Sequence, residues 1–439
     1  MKSNRRIPLL GTLLFSWLLL TASTVHAVLT IEITHGVKGA MPIAIVPFGW
    51  NGPGGPPERM ARIIAADLAR SGYFAPLPET DLPSRPHEAA AVRFPDWRMV
   101  RVDNLVIGDL KLLGPDSYQV KFHLFDVYKG KSLAGYSFRT NRQGLRRVAH
   151  QISDIIYEKL TGRKGAFSTS IAYVTAIRKG DSVSYALSVA DADGHNEQVI
   201  LEAHQPLMSP AWSPDGKRLA YVSFETGRSA IYIQDVGTAK RTRVASFRGI
   251  NSAPAWSPDG RKLAFTSSKN GNADIYILDL NSRKVTRVTY SDAIDTEAAW
   301  SPDGGSIVFT SDRGGSPQIY QISIGPSGPV GKPKRITFEG SYNARASFSP
   351  DGSKLVMVHR SGRRFQIAVL ELKSGVLNIV SDTRLGESPT FAPNGDMVLY
   401  ATEVGGRGVL EAASVETRSH QRLGFARGDV REPAWSPMP

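Results

Sequence analysis

Beyond residue 210 the chain alternates short apolar runs with polar turns on a regular beat. Residues 263–267 and 274–280 contain Leu-Ala-Phe-Thr and Ile-Tyr-Ile-Leu, apolar at successive positions. A strand with one wet face alternates, so runs apolar on both faces predict strands covered on both sides. Residues 255–257 precede them as a further strand, and 285–289 follow as a fourth. Ser257-Pro258-Asp259-Gly260, Lys269-Asn270-Gly271-Asn272 and residues 281–284 form the intervening turns. Pro presets φ for a turn's second position, Asp bonds its own backbone, and Gly accepts positive φ without a Cβ clash.

This four-strand unit recurs. Aligned on its aromatic residue it begins at Trp212, Trp256, Trp300, Phe348, Phe391 and Trp435, at intervals of 44, 44, 48, 43 and 44 residues. Four short strands at this period predict a β-propeller. Residues 171–174, 185–189 and 198–201 match second, third and fourth strands but lack a first. The final Pro433-Ala434-Trp435-Ser436-Pro437 is a first strand with nothing after it. Joined, the two pieces make a sixth blade and leave the ring without a free edge.

The preceding part carries no repeat. A strand is expected over 43–48, a Gly/Pro loop over 51–57, and a helix entered through Pro56-Pro57 with Met60, Ile63, Ile64 and Leu68 on one face, ended by Ser71-Gly72. Residues 119–128 and 132–140 flank Lys129-Gly130 as a hairpin. Leu145, Val148, Ala149, Ile152, Ile155, Ile156 and Leu160 form a second helical stripe, and 161–165 a linker. These elements predict a small α/β domain over 28–164, before a propeller over 165–439. At its start Leu29, Ile31 and Ile33 alternate with Thr30, Glu32 and Thr34, a pattern suited to pairing with a sheet edge, its own or a partner's.

The first 27 residues read as a signal peptide. Lys2, Arg5 and Arg6 precede an apolar stretch over 7–20, and Val25-His26-Ala27 offers small residues for cleavage near Ala27. Export by the ordinary secretory route is expected, since Pro8 disfavours the twin-arginine one. The stretch is short for a membrane span, so a soluble exported protein with no direct membrane insertion is expected.

Composition narrows the chemistry. The 439 residues include no cysteine, which excludes disulfides, thiolate metal sites, a cysteine nucleophile and a lipidated N-terminal Cys. The net charge of +13 is scattered rather than blocked, so nucleic acid is not an expected partner. There is no G-x-S-x-G elbow and no H-E-x-x-H, since His87-Glu88 lacks the second His. Asp191-Ala192-Asp193-Gly194 has calcium-loop spacing but no Glu at the required distance, and reads as a turn. Ser301-Pro302-Asp303-Gly304-Gly305 imitates only part of a sialidase box. No catalytic residue, metal or cofactor is expected.

The segments joining a fourth strand to the next first strand differ in every copy: 205–209, 248–253, 291–297, 339–345, 383–388 and 426–432. In a propeller they emerge together around the channel mouth. The turns between second and third strands share that face, each with a basic residue: Lys179, Arg228, Lys269, Arg313, Arg363 with Arg364, and Arg407. Loops freed from the repeat are where binding is expected, and basic charge at the rim would draw in an acidic partner.

With Ile45-Val46-Pro47-Phe48, Gly52-Pro53-Gly54, Ala65-Ala66-Asp67-Leu68, Pro206-Leu207-Met208-Ser209-Pro210, the Trp-Ser-Pro-Asp-Gly units and the terminal Pro-Ala-Trp-Ser-Pro, the chain resembles the TolB family of the Tol-Pal system of Gram-negative bacteria. The resemblance implies a monomeric, non-enzymatic periplasmic adaptor that supports outer-membrane integrity and invagination during division. It implies binding of the peptidoglycan-associated lipoprotein Pal at the channel-mouth face, at positions Met208, Ser209, Ile250, Asn251, Ala253, Thr296, Glu297, Asn343, Arg345 and Glu387. Ile250 stands where family members often carry His. TolA would bind the mature N-terminus, Val28, Leu29, Thr30, Ile31, Glu32 and Ile33. The alternative is an exported propeller that binds a small ligand or cell-wall fragment in its channel.

Overall fold

The structure is a computed structural model that describes residues 39–424 and 428–439. The expected signal peptide, the segment Val28–Ile33 and residues 425–427 of the last connecting loop lie outside the described residues.

The N-terminal domain runs β1 (Met41–Ile45), β2 (Gly49–Asn51), α1 (Met60–Arg70), β3 (Phe74–Pro76), α2 (Phe94–Met99), β4 (Asn104–Gly114), β5 (Ser117–Asp126), β6 (Lys131–Thr140) and α3 (Leu145–Thr161). The sheet order is β3-β1-β4-β5-β6, with β2 also paired to β4. β1 is parallel to β3 and β4, while β4, β5 and β6 are antiparallel. The mixed sheet follows from the connections: α1 crosses over between β1 and β3, whereas tight turns join β4 to β5 and β5 to β6. The apolar stripes of α1 and α3 cover one face, burying Ile64, Leu68, Ile152 and Ile156 against Val106, Val120 and Phe122. On the other face Trp97 of α2 packs with Val46, Leu105 and Ile107. Pro56 and Pro57 remain in the loop; α1 starts only at Met60, capped by no side chain.

The rest of the described chain is six antiparallel four-stranded sheets arranged as a propeller. Blade 1 holds Leu207–Trp212, Arg218–Ser223, Ala230–Asp235 and Arg241–Ala245, and blade 2 Asn251–Trp256, Lys262–Ser267, Asp274–Asp279 and Val285–Arg287. Blade 3 holds Asp295–Trp300, Ser306–Ser311, Gln318–Gly325 and Gly328–Arg335, and blade 4 Asn343–Phe348, Lys354–Ser361, Arg364–Glu371 and Leu377–Ile379. Blade 5 holds Glu387–Phe391, Met397–Val404, Arg407–Ser414 and His420–Arg422. Blade 6 is the composite: Ser170–Lys179, Ser182–Asp191 and Gln198–Ala203, completed by the C-terminal strand Asp429–Trp435.

The closing strand lies in register with Val430 opposite Thr175 and Trp435 opposite Ile171. It repeats the bond that joins blade 2 to blade 1. The Trp256 indole donates to the Ala211 carbonyl at 3.0 Å, and Trp212 donates to the Ala434 carbonyl at 3.1 Å. Trp435 itself donates to Thr169 Oγ1 at 2.7 Å. The turn glycines explain their own place. Gly260 has φ of 68° and Gly216 of 66°. A β-carbon on Gly260 would lie 3.7 Å from the Pro214 ring, and one on Gly216 would lie 3.5 Å from Pro437. Each turn proline thus packs on the next blade's glycine, and Pro437 carries the contact across the closure.

Candidate interaction face at the channel mouth

Each innermost strand breaks register near its start, between Met208 and Ala211, Ser252 and Ala255, Thr296 and Ala299, Ala344 and Ser347, Glu387 and Thr390, and Arg431 and Ala434. One residue of every break lies in the left-handed region: Ser209 (φ 50°), Ala253 (47°), Glu297 (57°), Arg345 (56°), Ser388 (53°) and Glu432 (54°). None is glycine, so each carries backbone strain of about 1 kcal/mol. Pro210, Pro254, Pro389 and Pro433 follow four of them, and proline, which cannot donate to a ladder, fits a bulge. Bulges re-aim side chains. Here Ser209, Ala253, Glu297, Arg345 and Ser388 line a central channel of about 410 Å³.

Threonines of the neighbouring blades hold this ring. Thr266 Oγ1 accepts from the Glu297 amide at 3.2 Å, and Thr310 Oγ1 accepts from the Arg345 amide at 2.9 Å. The Thr310 hydroxyl also lies 3.0 Å from Glu297 Oε2, and Thr296 lies 3.2 Å from Thr266. Across the throat Arg345 pairs with Glu432. Burial alone would lower the Arg345 pKa, but Glu432, Glu297 and Glu387 raise it, so the guanidinium stays charged.

The candidate residues divide into two groups. Met208 and Ile250 are 41% and 52% exposed, Glu387 is exposed and Thr296 partly so, and Ser209, Ala253, Glu297 and Arg345 border the channel. Asn251 and Asn343 are fully buried. The Asn251 amide donates to the carbonyls of Phe247 at 2.8 Å and Ser229 at 3.1 Å. That of Asn343 donates to Gln318 Oε1 and the Glu339 carbonyl, both at 2.8 Å, and its oxygen meets His359 Nδ1 at 2.8 Å. Both side chains brace their loops and offer nothing to a partner. Asp295 does the same in blade 3, held by Arg313 Nη2 at 2.7 and 2.9 Å.

The expected rim of free basic charge is also corrected. Arg313 stacks over Phe309 and Tyr320 while bound to Asp295. Lys269 sits 4.6 Å from the ring centres of both Phe247 and Tyr276, where burial lowers its pKa. Arg407 donates to the Gly428 carbonyl at 2.7 Å. Arg228 and Arg363 are exposed, and Arg364 lies 3.6 Å from Asp382. The side chain of Lys179 lies outside the description. The connecting loops also offer large apolar side chains. Tyr290 is 70% exposed, Ile294 53%, Phe338 75% and Leu385 42%, beside Ile250 and Met208. These four were absent from the candidates, although the signal was there: large apolar residues inside segments that the repeat leaves unconstrained.

The opposite face, built from the Ser-Pro-Asp-Gly turns, holds the N-terminal domain. Asp396 in the first turn of blade 5 accepts from Tyr157 at 2.7 Å and Arg163 at 2.9 Å; Glu416 of the same blade accepts from Tyr73 and Arg163, both at 2.6 Å. Burial, then the neighbouring carboxylates, raise the pKa of Tyr73 and Tyr157, keeping both phenols protonated donors. At blade 6, Asp191 and Asp193 form a turn as expected, yet their carboxylates also reach the first domain. Arg146 pairs with Asp193 and lies 3.5 Å from Asp191. His150 Nδ1 lies 2.7 Å from Asp67 Oδ2, and its Nε2 faces Asp193 at 3.7 Å. Asp67, His150 and Asp193 could converge on a cation. Arg70 already holds Asp67 at 2.7 Å and Arg146 holds Asp193, so the cluster is an interdomain clamp.

Among the described residues no helix is long and apolar enough to cross a membrane. A family profile described as the TolB amino-terminal domain matches residues 29–133, and one described as the TolB beta propeller domain matches 157–439. A relative from Nitrosococcus oceani, named Tol-Pal system protein TolB, is 60% identical over 430 residues, covering 98% of each chain. One of the same name from Thioalkalivibrio sulfidiphilus is 60% identical over 415 residues, or 94% of each. The crystal structure of TolB from Acinetobacter baumannii superposes with a TM-score of 0.84 at 42% identity, over 93% of this chain and 99% of that one. The bladed ring, its C-terminal closure and these matches agree: the chain belongs to the TolB family of the Tol-Pal system.

Proposed function

We propose that the protein is a non-enzymatic adaptor of the Tol-Pal system in the periplasm, carrying a propeller domain over 165–439 behind an N-terminal domain over 28–164. Its channel-mouth face binds Pal, and residues Val28–Ile33 bind TolA, so that one molecule contributes to outer-membrane integrity and invagination. The observation that carries this reading is the apolar mouth. Ile250, Tyr290, Ile294 and Phe338, each more than half exposed, stand in the connecting loops of one face. Such a patch around a polar centre has the make-up of a protein interface. Glu297 and Arg345 beneath it supply the polar contacts that set specificity.

Titration calorimetry of residues 28–439 against the soluble domain of Pal tests this. Binding should weaken at least about tenfold in Ile250→Asp/Phe338→Asp, with no change in melting temperature. Binding that ignores the double variant would remove the mouth from the proposal. Deletion of residues 28–33 should abolish TolA binding and leave Pal binding intact.

A further inference from the structure

The turn face is used unevenly. At blades 5 and 6 the N-terminal domain covers it, through Asp396, Glu416 and Asp193. Among the described residues, no hydrogen bond or ion pair joins the N-terminal domain to the equivalent turns of blades 1 and 2, and there the propeller's basic charge is concentrated. Residues 213–287 hold 13 Lys and Arg against 6 Asp and Glu, whereas residues 288–424 hold 14 of each. The excess positive charge of the propeller therefore sits on two neighbouring blades.

A groove of about 340 Å³ runs between these blades on that side. Its floor is apolar, from Ile233, Val244 and Leu280, all half-buried, and Arg218, Lys240 and Arg283 line it. The acids nearby are committed. Asp235 Oδ1 accepts from the Thr238 amide at 2.7 Å and its hydroxyl at 2.8 Å; Asp279 Oδ1 accepts from the Ser282 amide at 2.8 Å. Arg218 lies over the Trp256 ring at 4.8 Å and 3.9 Å from Asp215. Among the described residues, no acidic group lies within ion-pairing distance of Lys240 or Arg283. One wall is the outer strand of blade 1, Arg241–Ala245, an unpaired sheet edge whose Arg241, Thr242 and Arg243 are exposed.

We propose that this groove is a second docking site, separate from the channel mouth, for an extended acidic polypeptide segment. Lys240 and Arg283 would take its carboxylates, the strand edge its backbone, and Ile233, Val244 and Leu280 its intervening apolar side chains. Strand addition on an exposed edge works in this way: main-chain bonds supply affinity, and alternate side chains supply selectivity. An anionic bilayer is the less suitable occupant. Surface-bound proteins insert large apolar side chains beside their basic residues, and no large apolar residue of 213–249 or 252–289 is exposed.

The test uses residues 28–439 and a fluorescein-labelled peptide alternating Glu and Val, followed by anisotropy. The peptide should bind, and more weakly as salt is added. Lys240→Glu/Arg283→Glu should weaken it at least about tenfold with an unchanged melting temperature. Lys332→Glu/Lys334→Glu, on the charge-balanced blade 3, should leave it unaltered. Equal loss in both double variants would reduce the effect to net charge and overturn the site. So would binding to phosphatidylglycerol vesicles without binding to the peptide. Because Pal is not in the assay, failure here leaves the reading of the channel mouth untouched.

Discussion

The two faces of the propeller are made by opposite means. On the turn face the same four residues close the first hairpin in blades 1 to 4, with the same bonds. Ser257 Oγ accepts from the Lys262 amide at 2.9 Å, and Asp259 from the Arg261 amide at 3.0 Å; Ser349 and Asp351 repeat both, at 2.9 and 3.1 Å. On the mouth face the ties vary: Asn251 and Asn343 each donate to the carbonyl four residues back, Asn343 adds bonds to Gln318 and His359, and blade 3 uses the Asp295–Arg313 pair instead. Identical bonds require identical residues, so the turn face spells out the repeat. Loops that brace themselves individually are free to differ, and there the propeller's largest exposed apolar side chains, Tyr290 and Phe338, stand in water.

The comparison breaks most severely if the ring is opened. Removing residues 429–439 leaves blade 6 with three strands and exposes the first strand of that sheet. This should abolish cooperative thermal unfolding, an effect on the order of the whole stability, about 5–15 kcal/mol. Trp435→Ala, which keeps the strand, should cost about 3 kcal/mol. The side chain is only partly buried, which holds the loss to the lower end for such truncations. A melt unchanged by Trp435→Ala would contradict closure by this strand.

Asn343→Ala sharpens the contrast between bracing and contact. It removes one of the bonds to Gln318 and the bonds to His359 Nδ1 and the Glu339 carbonyl, and should destabilise by about 2 kcal/mol in chemical denaturation. A variant as stable as the parent but unable to bind Pal would return Asn343 to the partner's side.

The interdomain clamp supplies a smaller, pH-dependent effect. Burial opposes the charge on His150, but Asp67, by hydrogen bond and charge, and Asp193 outweigh it, and the net pKa is raised. A raised histidine contributes stability that is complete below its unfolded pKa of about 6.5 and is lost as pH rises through the folded value. Melting temperature should therefore fall on the alkaline side of about pH 6.5 by more in the parent than in His150→Gln. Parallel profiles would mean that His150 stays neutral.

Much of the propeller was legible because its turn chemistry repeats at a fixed period, and the incomplete first and last units named each other. The N-terminal domain was read less well. Its central strand β4, Asn-Leu-Val-Ile-Gly-Asp-Leu-Lys-Leu-Leu-Gly, is apolar on both faces only over its first half and carries no turn signal that sets it apart. At the site, the burial of Asn251 and Asn343 is not legible, because a polar residue at the start of a strand looks the same whether it faces a partner or ties down its own loop. Lys269 and Arg313 looked like free rim charge because the rings beneath them, Phe247 and Tyr276, Phe309 and Tyr320, come from other strands and loops. The clamp was invisible for a related reason: Asp67, His150 and Asp193 meet only in three dimensions.

The most direct test of the account is hydrogen–deuterium exchange of residues 28–439 with and without the soluble domain of Pal. The account predicts new protection in the connecting loops 246–250, 288–294 and 336–342 and none in the Ser-Pro-Asp-Gly turns of blades 1 to 4. Protection confined to the turn face, or to the N-terminal domain, would contradict it.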